Sequence, residues 1–137
     1  MIQSGNGLAL SIIFANGDIS SRRPLLVISV DKALNEIKAL NVSGLSGKEA
    51  RLARSSNIEI YDYNPPFDFP SFVKLDVVYI ISYFPELDRQ LCKGGTCLKR
   101  KELQRILGEF ESFCKNHKPI VVKIDEITLK RINHILR

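Results

Sequence analysis

Residues 25–31 have the sequence LLVISVD, an uninterrupted run of apolar and β-branched residues that starts behind Pro24 and stops at a charged residue. Runs of this kind are typical of strands buried on both faces of a sheet, as parallel strands are. The next segment, residues 32–40, carries apolar residues at helical spacing and leads into a turn-rich stretch at 41–47. Together these segments predict a strand followed by a helix, the repeating unit of an α/β fold.

The remaining segments alternate in the same way. Helices are predicted at residues 48–55, 98–116 and 126–136, and strands at 57–63, 76–82 and 120–124. The strand at 76–82 is the most apolar and is expected at the centre of the sheet, whereas the alternation at 57–63 favours a position near an edge. We therefore expect three layers, with helices on both faces of a mostly parallel sheet and right-handed crossovers.

The first segment is ambiguous. Leu8, Leu10, Ile12 and Phe14 alternate like a strand, but the whole run 7–15 also suits a buried helix. Periodicity leaves both structures open.

Length and composition indicate one domain spanning residues 1–137. The chain has 137 residues, of which 45% are hydrophobic, and a domain of this size buries roughly two-thirds of its unfolded surface. No apolar run approaches the roughly 18 residues that a bilayer span needs. The first residues also lack the basic start and long apolar run of a signal peptide, so we expect a cytoplasmic protein without membrane contact.

The net charge of +5 is unevenly distributed. Residues 1–88 carry 8 basic and 10 acidic side chains, whereas residues 89–137 carry 12 basic and 5 acidic ones. We call 89–105 the basic segment, and five of its cations form a cluster of the kind that a phosphate backbone attracts. These cations are Lys93, Lys99, Arg100, Lys101 and Arg105. The alternative is an ordinary solvated helix face on a basic protein.

The three cysteines and one histidine have a spacing that superficially resembles a zinc site. Cys92, Cys97, Cys114 and His117 form the pattern C-x4-C-x16-C-x2-H. The sixteen residues in the middle are predicted to be a helix of roughly 25 Å, which would separate the two halves. We therefore predict no metal site and expect reduced thiols.

Carboxylates follow three of the predicted strands, at Asp31, Asp62 and Asp125. Open α/β sheets bind their ligands at this edge, so the positions allow a divalent-metal enzyme for phosphoryl transfer or nuclease chemistry. Aspartate is also common at helix N-caps, which gives these residues a purely structural explanation.

Residues 4–10, with the sequence SGNGLAL, are similar to a phosphate loop that runs into a helix, but the Gly-Lys-Ser/Thr end of such a loop is missing. Taken in order, the segments of the chain resemble the core of the RecA/RadA recombinase family, and more closely its short archaeal RadA paralogues. The resemblance implies that the first segment is a helix. It places Gly5, Asn6 and Gly7 in the phosphate loop and Asp31 at the carboxylate that activates water. Ile81 stands where the family has its magnesium-associated carboxylate.

The resemblance implies a RecA-like scaffold that has lost its ATPase and uses no cofactor. The expected function is then a non-catalytic accessory role in DNA recombination and repair. Its partners would be a RecA/RadA-type recombinase or a second copy of the chain, and single-stranded DNA. The resemblance places the basic segment in a DNA-facing loop, so its five cations become candidate contacts to a single-stranded nucleic acid, with Tyr83 or Phe84 as stacking groups. Two alternatives remain, the metal-dependent enzyme and a protein-interaction module without nucleic acid.

Overall fold

One six-stranded sheet organises the chain in the computed structural model, which describes residues 1–136. Its strands are β1 (Gly7–Leu10), β2 (Arg23–Asp31), β3 (Glu36–Gly44), β4 (Asn57–Ile60), β5 (Ser71–Ser82) and β6 (Ile120–Ile124). The strand order is β1-β2-β3-β5-β4. β6 pairs with the later part of β5, along the same edge of β5 that pairs with β4. Only the pair β5 and β6 is parallel, and the other pairs are antiparallel.

The helices connect or flank these strands. They are α1 (Arg100–Asn116), α2 (Glu126–Ile132) and short 3-10 helices at Glu49–Ala53, Pro85–Gln90, Cys92–Gly95 and His134–Leu136. Within residues 1–136, neither length nor hydropathy would allow any helix to cross a bilayer.

The expected three-layer, mostly parallel RecA-like α/β fold is wrong, because the sheet is mostly antiparallel. The stretch that predicted a strand and a helix is a hairpin: β2 turns back into β3, with Val30 opposite Ile37 and Asp31 opposite Glu36. Asn35 sits in the turn with a positive φ of 56°, and Asp31 Oδ1 accepts a hydrogen bond from the Leu34 amide at 3.0 Å. Asparagine and aspartate favour such turns, so the local chemistry stabilises the hairpin.

The sheet is nevertheless buried on both faces, as the apolar runs predicted. On one face Val27, Ile37 and Tyr79 pack under Phe84, Leu87 and Leu129. On the other face Leu26, Leu40 and Val78 pack under Phe67 and Ile106 of the flanking segments. An antiparallel hairpin covered on both sides has the same uninterrupted apolar sequence as a parallel strand.

Several predicted elements are confirmed. β5 is central, since it pairs with β3 along one side and with β4 and β6 along the other, and β4 is an edge strand. The long helix is present as α1, and β6 has the predicted bounds, although Ile120 and Val121 are more than half exposed. The terminal helix ends early, at Ile132.

The N-terminal segment is a strand and not a helix that follows a phosphate loop. The Gly5 amide donates to Val27 O, and the Val27 amide donates to Asn6 O, so the pairing with β2 begins before β1. Asn6 is fully buried and its Nδ2 donates to Gly95 O at 2.9 Å. Gly5 has a positive φ of 93°, which glycine adopts without strain. Ile81, in the position compared with the magnesium-associated carboxylate, is fully buried in the core.

Gly7 is required by close packing, which leads to a testable prediction. A Cβ atom at Gly7 would lie 3.1 Å from Cys92 Cβ and 3.1 Å from Phe67 Cε1. We expect Gly7→Ala to lower the free energy of unfolding in urea by about 1–3 kcal/mol, because overpacking displaces well-ordered neighbours.

Gly108→Ala is the matched control. A Cβ at Gly108 in α1 meets no heavy atom within 4 Å, so alanine should raise the free energy of unfolding by about 0.5–1 kcal/mol. Shifts of the two variants in the same direction would contradict this explanation of Gly7.

Candidate functional site

Three of the five candidate cations in the basic segment pair with carboxylates. Lys93 Nζ lies 2.9 Å from Asp68, and Lys99 Nζ lies 3.4 Å from Asp62. Arg105 Nε lies 2.7 Å from the Glu102 carboxylate. Arg100 and Lys101, the remaining two candidates, are exposed in the first turn of α1.

Arg105 and Glu102 attach α1 to the edge of the sheet. The Glu102 carboxylate is buried and accepts hydrogen bonds from the amides of Tyr61 at 2.6 Å and Asp62 at 3.3 Å. Arg105 Nη2 also donates to Glu59 O, and its guanidinium lies over the Tyr61 ring. The hydrogen bond from Arg105 lowers the pKa of Glu102 against the opposing effect of burial. This pair therefore has a structural explanation.

The proposed stacking aromatics occupy structural positions as well. Phe84 is buried in the core with only 3% exposure, and Lys130 Nζ lies 5.1 Å from the centre of its ring. The Tyr83 hydroxyl donates to the carboxylate of Asp88 at 3.0 Å.

The three strand-end carboxylates each bind a near neighbour. Asp31 accepts from the Leu34 amide, Asp62 pairs with Lys99, and Asp125 caps α2 by accepting from the Thr128 amide at 2.8 Å. That hydrogen bond lowers the pKa of Asp125. Throughout residues 1–136, no group of three or more histidine, cysteine or acidic side chains is placed to hold a metal ion.

The cysteines are free thiols that differ in exposure. Cys92 and Cys97 are half-buried, and Cys114 is exposed. Asn6 Nδ2 lies 3.2 Å from Cys97 Sγ, and burial raises the pKa of Cys92.

Polar and basic residues collect instead at one end of the sheet. In an antiparallel meander the start of β2, the end of β3 and the start of β5 lie side by side, as the register of Leu25 with Asn41 and of Gly44 with Ser71 requires. This end carries Arg23 on β2 and Lys74 on β5, residues that are 51 positions apart in the sequence.

Four cations gather at this end, and we call them the basic cluster: Arg23, Lys48, Arg51 and Lys74. Burial lowers the pKa of Lys74, and the positive charges of Arg23, Arg51 and Lys48 lower it further. Asp76 is the one acidic group that acts on Lys74 in the opposite direction. Like charges that are held together in this way disfavour the charged lysine, so the cluster has an excess of positive charge.

Arg23 has an unused hydrogen-bond donor. Its Nη1 donates to Asn41 Oδ1 at 3.4 Å, and its guanidinium lies 4.8 Å from the centre of the Phe14 ring. Its Nε is buried without a hydrogen-bond partner, and no other buried side-chain nitrogen or oxygen in residues 1–136 lacks one. An unsatisfied buried donor costs about 1–3 kcal/mol, so the folded chain holds Arg23 in this position at an energetic cost.

Two open clefts flank Arg23. The first, which we call the lysine cleft, has a volume of about 290 Å³ and is lined by Phe14, Asn16, Asn41, Lys74, Asp76 and Tyr79, among others. The second, the phenylalanine cleft, has a volume of about 360 Å³. Its walls include Arg22, Arg23, Phe67, Asp68, Phe69 and Cys92.

Sequence reasoning missed this site because its members are scattered through residues 1–88, which carry more acidic than basic side chains. A local signal does exist, since Arg22 and Arg23 stand together directly before Pro24 and the apolar run of β2. The positions of Lys48 and Lys74 beside them depend on the antiparallel pairing, which was not predicted.

Comparisons with known proteins add no relative. No model of a known protein family matches the chain, and no curated protein matches it. The proposal below is therefore argued from the geometry of the basic cluster.

The lowered pKa of Lys74 predicts a pH-dependent stability. Between the folded-state pKa and the higher ordinary value, the unfolded chain binds more protons than the folded one, so stability should rise with pH in the range just below the ordinary lysine value. Lys74→Met should remove that rise and shift the urea midpoint upward at pH 7, because it deletes a desolvated charge among like charges.

Lys101→Met provides the matched control. Lys101 is exposed on α1, so its replacement should change the midpoint little. A lower midpoint for Lys74→Met than for Lys101→Met at pH 7 would contradict the electrostatic description of the cluster.

Proposed function

We propose that this protein binds a single-stranded nucleic acid, with a phosphate of the strand on Arg23. The observation that carries the proposal is the gathering of Arg23, Lys48 and Arg51 around Lys74, at the end of the sheet where two clefts open. A phosphate bound at the half-buried Arg23 would offset the positive charge that lowers the pKa of Lys74.

The shape of the site favours a polymer over a small anion. The clefts on both sides of Arg23 have aromatic walls, Phe14 in the lysine cleft and Phe69 in the phenylalanine cleft. Proteins that bind single strands combine such a basic track with aromatic rings on which bases stack. A duplex would keep its bases stacked and paired, so a single strand is the form that can use both clefts.

This proposal keeps one part of the sequence-based expectation and changes its location. Binding of a single strand was expected at the basic segment, where three of the five candidate cations pair with carboxylates, and is proposed here at the basic cluster. The accessory role in DNA recombination and its recombinase partner remain predictions without support from the fold, since they were inferred from a RecA-like scaffold.

Salt-dependent binding tests the proposal. For fluorescein-labelled single strands, the logarithm of the association constant should fall with the logarithm of salt concentration by about 0.7 per phosphate contact. We expect Arg23→Gln and Lys74→Gln each to weaken binding about ten-fold and to reduce this slope, because each removes a phosphate contact.

Two variants of the basic segment serve as controls. Arg100→Gln and Lys101→Gln remove cations of α1 that are more exposed than Arg23 and Lys74. Each variant should bind with an affinity within two-fold of the wild type. Binding that depends on these two residues and not on Arg23 would place the interface at the basic segment instead.

A further inference from the structure

We infer that the phenylalanine cleft binds an unpaired nucleobase of the strand whose phosphate lies on Arg23. This inference rests on the proposed function and assigns a second subsite to the same strand. Arg22 and Arg23 are both among the residues that line the cleft, so it opens at the same end of the sheet as the basic cluster.

The walls of the cleft suit a flat aromatic ligand. Pro66 and Phe67 are buried and form an apolar wall, while the Phe69 ring is 72% exposed at the rim. Phe69 therefore offers an exposed ring on which a flat aromatic ligand can stack at the rim of the cleft. The volume of about 360 Å³ falls in the range of small-molecule sites.

The loop that carries Phe69 is fixed from both ends. Lys93 Nζ bridges Asp68 at 2.9 Å and Asn64 Oδ1 at 2.6 Å. On the other side Ser71 Oγ donates to Phe69 O at 2.6 Å, and the Leu45 amide donates to Pro70 O at 2.9 Å. A ring held in place before binding loses little entropy when a base stacks on it.

The polar groups at the rim favour a base over a purely apolar ligand. The Asp68 carboxylate lies at the mouth of the cleft with 64% of its side chain exposed. It can accept a hydrogen bond from an amino or imino group at the edge of an unpaired base. The same edge is occupied in a duplex, which agrees with the preference for a single strand.

Two labelled strands of equal length and charge separate the base from the phosphate. One is a ten-nucleotide oligoadenylate and the other is a ten-unit abasic ribose-phosphate chain. The wild-type protein should bind the oligoadenylate about ten-fold more tightly. Phe69→Ala should remove this preference by weakening only the oligoadenylate, and Phe69→Tyr should retain it.

Tyr61→Ala is the control for loss of an exposed ring, because Tyr61 is also exposed but lies beside Arg105 and away from the cleft. Equal weakening of both strands by Phe69→Ala, or no weakening, would overturn the base subsite while leaving phosphate binding intact. Failure of both strands to bind the wild type would instead reject the proposed function.

Alkylation of the cysteines provides a second, independent readout. Cys92 lines the cleft, whereas Cys114 is exposed on α1. Saturating oligoadenylate should slow the reaction of Cys92 with iodoacetamide at least five-fold and leave Cys114 unchanged. The abasic strand should protect Cys92 much less, and equal protection by both strands would contradict occupation of the cleft by a base.

Discussion

The antiparallel pairing of β2, β3 and β5 is the constraint on which the rest of the molecule depends. β5 extends over twelve residues and pairs with β3 along one side and with β4 and β6 along the other, so every strand except β1 and β2 contacts it directly. The same pairing brings the start of β2, the end of β3 and the start of β5 to one end. A parallel sheet would have sent Arg23 and the Gly44 end of β3 to opposite ends.

This end of the sheet is not arranged for stability. Lys74 loses hydration among like charges, and Arg23 Nε is buried without an acceptor. Both features disfavour the folded chain in isolation, and neither is needed to hold β2 against β3. Proteins keep such local conflicts where function requires them, and a bound anion would offset the like charges around Lys74.

The sequence predicted elements better than connections. α1 and β6 have strong amphipathic or apolar patterns and were predicted close to their observed bounds, whereas β5 was predicted only from residue 76 although it starts at Ser71. The error arose at residues 32–40, where Ile37 and Leu40 match a helical spacing while Ile37 and Ala39 match a strand. Each period fits part of the segment, and the turn at Asn35 decides the outcome by returning the chain along β2.

The net charge pointed to the basic segment for a related reason, because it counts charged side chains without regard to the groups that pair with them. Residues 89–137 have the larger excess of cations, yet Lys93, Lys99 and Arg105 pair with acidic side chains. Two of these partners, Asp68 and Asp62, lie within residues 1–88, which are acidic overall. Part of the negative charge of residues 1–88 is therefore paired with the basic segment. Cations of residues 1–88 gather around Lys74, with Asp76 as the opposing charge. Binding of a polyanion is governed by this local excess, which only the folded chain creates.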